Sequence, residues 1–235
     1  MSEKFIRTEM LLGAENMEKL KNSHIAIFGL GGVGGHTVEA LARCGVGSFD
    51  LFDADTVSVS NLNRQIIATV NTIGMKKTEA AKERILSINP DANVSTFDVF
   101  YLPENADNYP LNKYDYVVDA IDTVSAKIEL AVRCEKLGVP LISSMGTGNK
   151  LDPTAFEVTD IYKTKGCPLA RVMRRELKNR GVKALKVVYS TEDAITPLFT
   201  DKDENSRKIS PGSTSFVPSV AGLILASEVV KNICK

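Results

Sequence analysis

The run Ile25-Ala26-Ile27-Phe28-Gly29-Leu30-Gly31-Gly32-Val33-Gly34-Gly35 constrains this chain more than any other stretch. Its apolar opening reads as a buried strand, and the glycines behind it imply a tight turn into a helix. Glycines at such a turn let the backbone come close to a phosphate, and the unpaired N–H groups of the helix start face the anion. Asp53 follows about twenty residues later, at the tip of the next apolar run, where an acid can hold a ribose hydroxyl. A strand–helix turn without a ligand fits the same pattern. By itself the motif does not separate NAD, FAD and ATP.

The rest of the chain alternates between strand and helix signals. A lead-in helix ends over Asn16 to Lys21, and strands are expected at 24–28, 48–52, 94–97, 114–119 and 140–144. Helices are expected at 32–43, 77–87 and 124–137, the second stopped by Asn89-Pro90 and the third closed by Gly138. That alternation predicts an α/β fold, a Rossmann-like mainly parallel sheet with helices on both faces. Beyond Gly148 it loosens into a C-terminal mixed α/β elaboration: strands at 156–160 and 185–189, helices at 169–179 and 218–232, and a polar loop over 191–215.

With 235 residues, 43% of them hydrophobic and 25% charged, the chain has material for one full α/β domain. A formal net charge of zero argues against general electrostatic capture of nucleic acid, though not against a local basic patch. The first nine residues lack the apolar core of a signal peptide. The longest apolar stretch, Val217 to Val230, is too short for a bilayer and is interrupted by Ser219, Ser227 and Glu228. A cytoplasmic protein with no membrane contact is expected. Cys44, Cys134, Cys167 and Cys234 form no CxxC pair, and with only two histidines a structural zinc site is not expected.

Asn61-Leu62-Asn63-Arg64-Gln65 narrows the nucleotide. Arg64 cannot deprotonate and can grip phosphate oxygens in pairs, and Lys77, opening the next helix, offers a second cation. Each read alone is equally a solvated surface residue. Asp122 ends the segment Asp119-Ala120-Ile121-Asp122, at the carboxyl end of a strand. There it suits Mg²⁺ beside a triphosphate, or serves as the N-cap of the helix that follows.

Together these residues resemble the ThiF-like adenylating enzymes of the ubiquitin-activating type. The resemblance rests on the glycine run, Asp53-Ala54-Asp55, the Asn61–Gln65 stretch, Gly74-x-x-Lys77 and Asp119-x-x-Asp122. It implies ATP and Mg²⁺ as cofactors, with Gly29, Gly31, Gly32, Gly34, Asp53, Asp55, Asn61 and Asn63 around the nucleotide. Gly31 and Gly34 would approach the phosphates, Arg64 and Lys77 would hold them, and Asp122 would bind the metal. Arg7 matches an N-terminal arginine that in this family reaches the partner subunit's ATP, so a homodimer is implied. The chemistry the resemblance implies is attack of a carboxylate on the α-phosphate of ATP.

Leu151-Asp152-Pro153-Thr154 through Lys163-Thr164, Cys167-Pro168-Leu169-Ala170 and Val187–Glu192 resemble the tRNA threonylcarbamoyladenosine dehydratase family. The chain is then one adenylating domain, 1–150 its nucleotide-binding half and 151–235 its substrate-side half. Cys167 stands where that family leads one to expect an aspartate. The resemblance implies tRNA as substrate and leaves open a sulfur-transfer partner. A basic helix is the sequence's own hint of RNA: seven Lys or Arg against one acid lie between Leu169 and Lys186. Arg171, Arg174, Arg175 and Lys178 fall on one helical face, with Val172, Met173 and Leu177 opposite. Such a face pairs with phosphates or is simply solvated. Cys167, ahead of this helix and near Arg171, is a candidate thiolate. Three other readings compete. Adenylation of a ubiquitin-like or sulfur-carrier C-terminus keeps the ATP chemistry. An NAD oxidoreductase leaves Arg64, Lys77 and Asp122 without a task, and a scaffold requires the ATP residues to be scattered.

Overall fold

One seven-stranded sheet runs through the computed structural model, which describes residues 3–199 and 211–235. In chain order the strands are β1 (His24–Phe28), β2 (Ser48–Phe52), β3 (Asn93–Phe97), β4 (Tyr116–Asp119), β5 (Leu141–Ser144), β6 (Phe156–Asp160) and β7 (Lys186–Ser190). Their spatial order is β3-β2-β1-β4-β5-β7-β6, parallel except for β6, which runs antiparallel to β7. The helices are α1 (Ile6–Leu12), α2 (Ala14–Asn22), α3 (Gly34–Arg43), α4 (Lys77–Ile88), α5 (Val124–Leu137), α6 (Pro168–Asn179) and α7 (Phe216–Ile233). The expected Rossmann-like α/β architecture is therefore present.

Period-two alternation decides which helices cover which face. Ile25, Ile27, Phe49, Leu51 and Val118 point to one side, where side chains of α2, α3, α4 and α7 complete a buried cluster. Ala26, Phe28, Phe52 and Val117 point to the other, under α5 and the 97–114 segment. A third cluster joins α5, α6 and β7 through Met173, Leu177, Val187 and Tyr189. Each fully buried large side chain contributes about 1.5–3 kcal/mol.

The chain builds outward from β1 through β2 to β3, then returns to the far side of β1 as β4. Strand order therefore reverses between β1 and β4, and the crevice for a ligand opens at their carboxyl ends. Gly29 follows β1 with φ +89°, and a Cβ there would lie 2.7 Å from the Ala120 carbonyl oxygen beyond β4. No other residue type lets these two strand ends meet.

Element ends differ from the sequence expectation by physical cause. β5 begins at Leu141 because Pro140 has no N–H to give the ladder. α7 begins two residues before Pro218, which the first turn of a helix tolerates. At 18 residues α7 is long and apolar enough to cross a membrane, longer than the apolar run suggested. In the fold it lies against α3: Gly222 packs so closely that a Cβ would sit 2.3 Å from the Val33 oxygen, and Thr37 Oγ1 donates to Gly222 O at 3.0 Å. Of the expected 191–215 loop, residues 191–199 and 211–215 carry no helix or strand beyond β7. Asp201, Asp203 and Glu204 lie outside the described residues.

Candidate active site

A cleft of about 520 Å³ opens at the β1/β4 reversal. Its floor is the glycine turn, Gly29, Gly31 and Gly32. A Cβ at Gly31 would meet nothing nearer than 3.9 Å, so the backbone there faces free space. Gly34 plays a different part from the one expected of it. A Cβ there would fall 1.8 Å from Gly29 O, so this glycine lets α3 start against β1 and does not line the cleft. His36 packs in the same turn, its Nδ1 2.8 Å from Gly32 O.

Asp53 ties the end of β2 to this turn. Its Oδ2 accepts from Leu30 N at 2.7 Å and its Oδ1 from Asp55 N at 2.9 Å. Burial pushes its pKa above the ordinary aspartate value, although Lys77 and the two backbone donors act against the rise. Lys77, the first residue of α4, is buried with its Nζ 2.7 Å from Asp55 Oδ2 and 3.9 Å from Asp53 Oδ1. Asp53, expected at the ribose, and Asp55, expected around the nucleotide, thus also hold the lysine.

Arg64 is half-buried on the cleft wall and makes no ion pair with a carboxylate among the described residues. Its Nη1 donates to Ser60 O at 2.8 Å and to Asn63 Oδ1 at 2.9 Å. Burial pulls its pKa below the ordinary value, yet a guanidinium stays charged. A desolvated cation without its own acid is a site for an external anion. Asn61 lines the cleft while its Oδ1 accepts from Ser58 N at 3.1 Å. Asn63 lies behind Arg64 and donates through Nδ2 to Ser213 O at 2.9 Å. Gln65 also faces the cleft, and its buried Oε1 has no partner among the described residues.

Asp122 is exposed at the cleft. The helix-cap alternative for it fails: the N-cap of α5 is Thr123, and no side chain caps that end. Its neighbour Asp119 serves the fold, with Oδ2 2.9 Å from the fully buried Lys127 and 2.6 Å from Ser143 Oγ.

Apolar and aromatic side chains also line the cleft: Phe28, Phe52, Val99, Phe100, Tyr101 and Leu102. Phe28 and Phe52 stack at 4.2 Å between centroids, and Phe52 and Phe97 at 4.5 Å. No motif flagged Val99–Leu102; the only hint was the apolar run after β3. The cleft therefore combines cations over a glycine floor with aromatic side chains, which suits a nucleoside phosphate.

Two further expectations, for Cys167 and for the face of α6, are corrected, while that for Arg7 concerns a second protomer. Arg7 is exposed on α1, outside the cleft of its own chain. Cys167 is buried in the α5–α6–β7 cluster, so its thiol is packed while Arg171 is exposed. The basic face of α6 is not uniform. Arg174 is half-buried and donates to Thr164 O at 2.9 Å and to Thr164 Oγ1, whereas Arg175 pairs with Glu176 at 3.0 Å. Arg171 and Lys178 are exposed without ion pairs among the described residues, and Val172 is exposed with them instead of facing the core. Cys134 is core, while Cys44 is half-buried at its edge.

A model of the ThiF family matches residues 5–235. The chain belongs to the ThiF family. It is 42% identical to the tRNA threonylcarbamoyladenosine dehydratase of Bacillus subtilis, over all of this chain and 96% of that protein. It is 39% identical to the Escherichia coli protein of the same name, over 83% of this chain and 76% of that one. The crystal structure of the E. coli enzyme, TcdA, in complex with ATP superposes with a TM-score of 0.89 at 36% identity, covering 98% of this chain and 93% of that one. In ThiF-family terms, the glycine turn and the Asn61–Gln65 stretch of this chain meet at one cleft.

Proposed function

We propose that this chain is an ATP-dependent tRNA threonylcarbamoyladenosine dehydratase. The cleft carries the reading, because a half-buried Arg64 with no carboxylate partner among the described residues lines it together with Lys77 over a glycine floor, which calls for polyphosphate. The aromatic side chains take the adenine. Asp53 takes the ribose, since a carboxylate has acceptor sites beyond the two used by Leu30 and Asp55 N–H. Gly31 and Gly32 floor the phosphates, and Arg64 and Lys77 neutralise them.

A carboxylate oxygen of the threonyl group attacks the α-phosphorus, and the bond to the bridging oxygen breaks with pyrophosphate taking the electron pair. The acyl-adenylate that results has AMP as its leaving group in place of oxide. The ureido nitrogen of the same side group then attacks the carbonyl carbon, loses its proton to solvent and expels AMP as the ring closes. A nucleophile held in the same molecule has a high effective concentration, so no enzyme thioester is needed. The protein's part is positioning and charge neutralisation.

Mg²⁺ fits this arrangement. It is commonly held by one or two carboxylates plus substrate phosphates, and Asp122 presents an exposed carboxylate whose nearest partner is Thr123 Oγ1 at 3.4 Å. When bound there, the ion would supply further charge neutralisation at the triphosphate. The proposal extends to a homodimer in the cytoplasm, in which Arg7 serves the ATP of the neighbouring protomer. Its support is that Arg7 is exposed and away from its own cleft. For tRNA we assign the exposed cations Arg171, Arg175 and Lys178, joined by Lys163 and Lys165, with Arg174 holding the loop beneath them.

The test is exchange of labelled pyrophosphate into ATP, measured with and without tRNA bearing threonylcarbamoyladenosine. Exchange is expected only with that tRNA, together with loss of one water from the nucleoside by mass. An unchanged nucleoside with exchange driven by a carrier protein's C-terminus would favour the alternative adenylyltransferase.

A further inference from the structure

Asn149 is the one non-glycine residue among those described with a left-handed backbone, φ 57°. Asparagine tolerates this region better than most residues, and here its polar atoms are engaged in joining separate segments. Its N–H donates to Gly212 O at 2.8 Å, and its carbonyl accepts from Ile195 N at 2.8 Å. Its side-chain Oδ1 accepts from Gly212 N at 2.7 Å. A residue beyond β7 and a residue ahead of α7 are thus pinned to the same asparagine.

The segment clasped in this way reaches the cleft. Pro211 and Ser213 line it together with Thr147 and Gly148. Gly148 lies so close to Pro211 that a Cβ would fall 2.7 Å from the proline ring. Ser213 O accepts from Asn63 Nδ2 at 2.9 Å, and Asn63 Oδ1 accepts from Arg64 Nη1 at 2.9 Å. A continuous chain of contacts therefore runs from Asn149 through Gly212 and Ser213 to Asn63 and Arg64. Asn149 itself does not touch the cleft.

We propose that Asn149 is a positioning residue for the phosphate clamp, holding Arg64 in place for ATP through the Gly212–Ser213 segment and Asn63. The inference rests on the adenylation reading. Its physical basis is preorganisation: Arg64 has no acid to orient it among the described residues, so two neutral oxygens and whatever fixes them set its direction. Asn63 is one of those two acceptors, and its amide cannot turn freely while Ser213 O holds the nitrogen end. Ser213 in turn keeps its place only while Gly212 is clasped.

Calorimetric titration of ATP into the full chain, without tRNA, tests this. Asn149→Gly keeps the left-handed backbone but loses the Oδ1 acceptor, and should weaken ATP binding about threefold to tenfold. Asn149→Asp restores an acceptor for Gly212 N–H and should bind ATP within about twofold of the parent. In the Asn63→Ala background, Asn149→Gly should add little, because the link it acts through is already cut. Unaltered ATP affinity in Asn149→Gly, or effects that multiply fully in the double variant, would overturn the inference alone. A parent protein that fails to bind ATP would instead overturn the adenylation reading and this inference with it.

Discussion

The β1–β2–β3 end of the sheet and the α6 end hold their charged side chains in opposite ways. At the first, Asp53, Lys77 and Arg64 are buried or half-buried, and each is fixed by at least two partners. At the second, Arg171, Lys178, Lys163 and Lys165 stand in solvent, while Arg174 is built into the fold. A small rigid ligand needs the first arrangement, since misplacing a clamp by an ångström forfeits the transition state. A long polyanion is served by the second, since phosphate contacts are numerous and individually interchangeable.

The contrast breaks most visibly at two glycines of one turn. Gly34→Ala drives a Cβ into Gly29 O and should cost upwards of about 3 kcal/mol, read as a collapse of the thermal unfolding transition. Gly31→Ala has 3.9 Å of room, so it should melt like the parent while binding ATP more weakly, because the added methyl keeps the phosphate at a distance. Equal destabilisation by both would mean the turn has no separate floor and hinge. Next in size is Arg64→Ala, expected to lower pyrophosphate exchange about 10²–10³-fold with a melting temperature within a few degrees of the parent.

That difference also explains what can be read from the chain alone. Strand positions agree within two residues, because buried parallel strands are apolar runs and prolines and glycines mark their ends. The clamp is legible because backbone sterics and phosphate chemistry both restrict residue type. Gly34 escapes correct assignment because a motif does not separate a glycine that faces a ligand from one that admits a helix. The aromatic lining is barely legible, since Tyr101 is recruited by packing edge-on against Phe28 and any apolar run would look the same. Asn149 and the Arg174–Thr164 contact depend on partners far apart in sequence, which periodicity does not report.

A buried acid outside the cleft lining tests how much of this rigidity is electrostatic. Burial would raise the pKa of Asp50, but hydrogen bonds from Lys113 (2.7 Å), Tyr114 (2.7 Å) and His24 (2.9 Å) outweigh it and hold the carboxyl below the ordinary value. A folded-state pKa below the unfolded one contributes stability above the unfolded value, lost as pH falls through the folded value. Asp50→Asn should therefore cost about 1–3 kcal/mol at neutral pH, with the gap to the parent closing on acidification below the ordinary aspartate range. A gap that stayed constant with pH would show that shape, not charge, fixes this part of the core. Glu176 on α6 is also held low, by Arg180 and Arg175, but both arginines are exposed, so its contribution should shrink in added salt.

The smallest effect separates the cations of α6 from one another. Replacing Arg171, Arg175 and Lys178 together by alanine should weaken tRNA binding about tenfold at moderate salt. The slope of log affinity against log salt should fall by about two to three, because every cation taken off the phosphates leaves one more counterion bound to the RNA. ATP affinity and melting temperature should not move. Arg174→Ala should do the reverse: it removes the donor that satisfies Thr164 O, so stability falls by about 1–2 kcal/mol while the salt slope falls by one at most. If the triple variant leaves the slope unchanged, the α6 face is a solvated helix surface, and the tRNA must be gripped elsewhere. If Arg174→Ala shifts the slope as much as the triple does, the division between built-in and free cations fails, and with it the contrast between the two ends of the sheet.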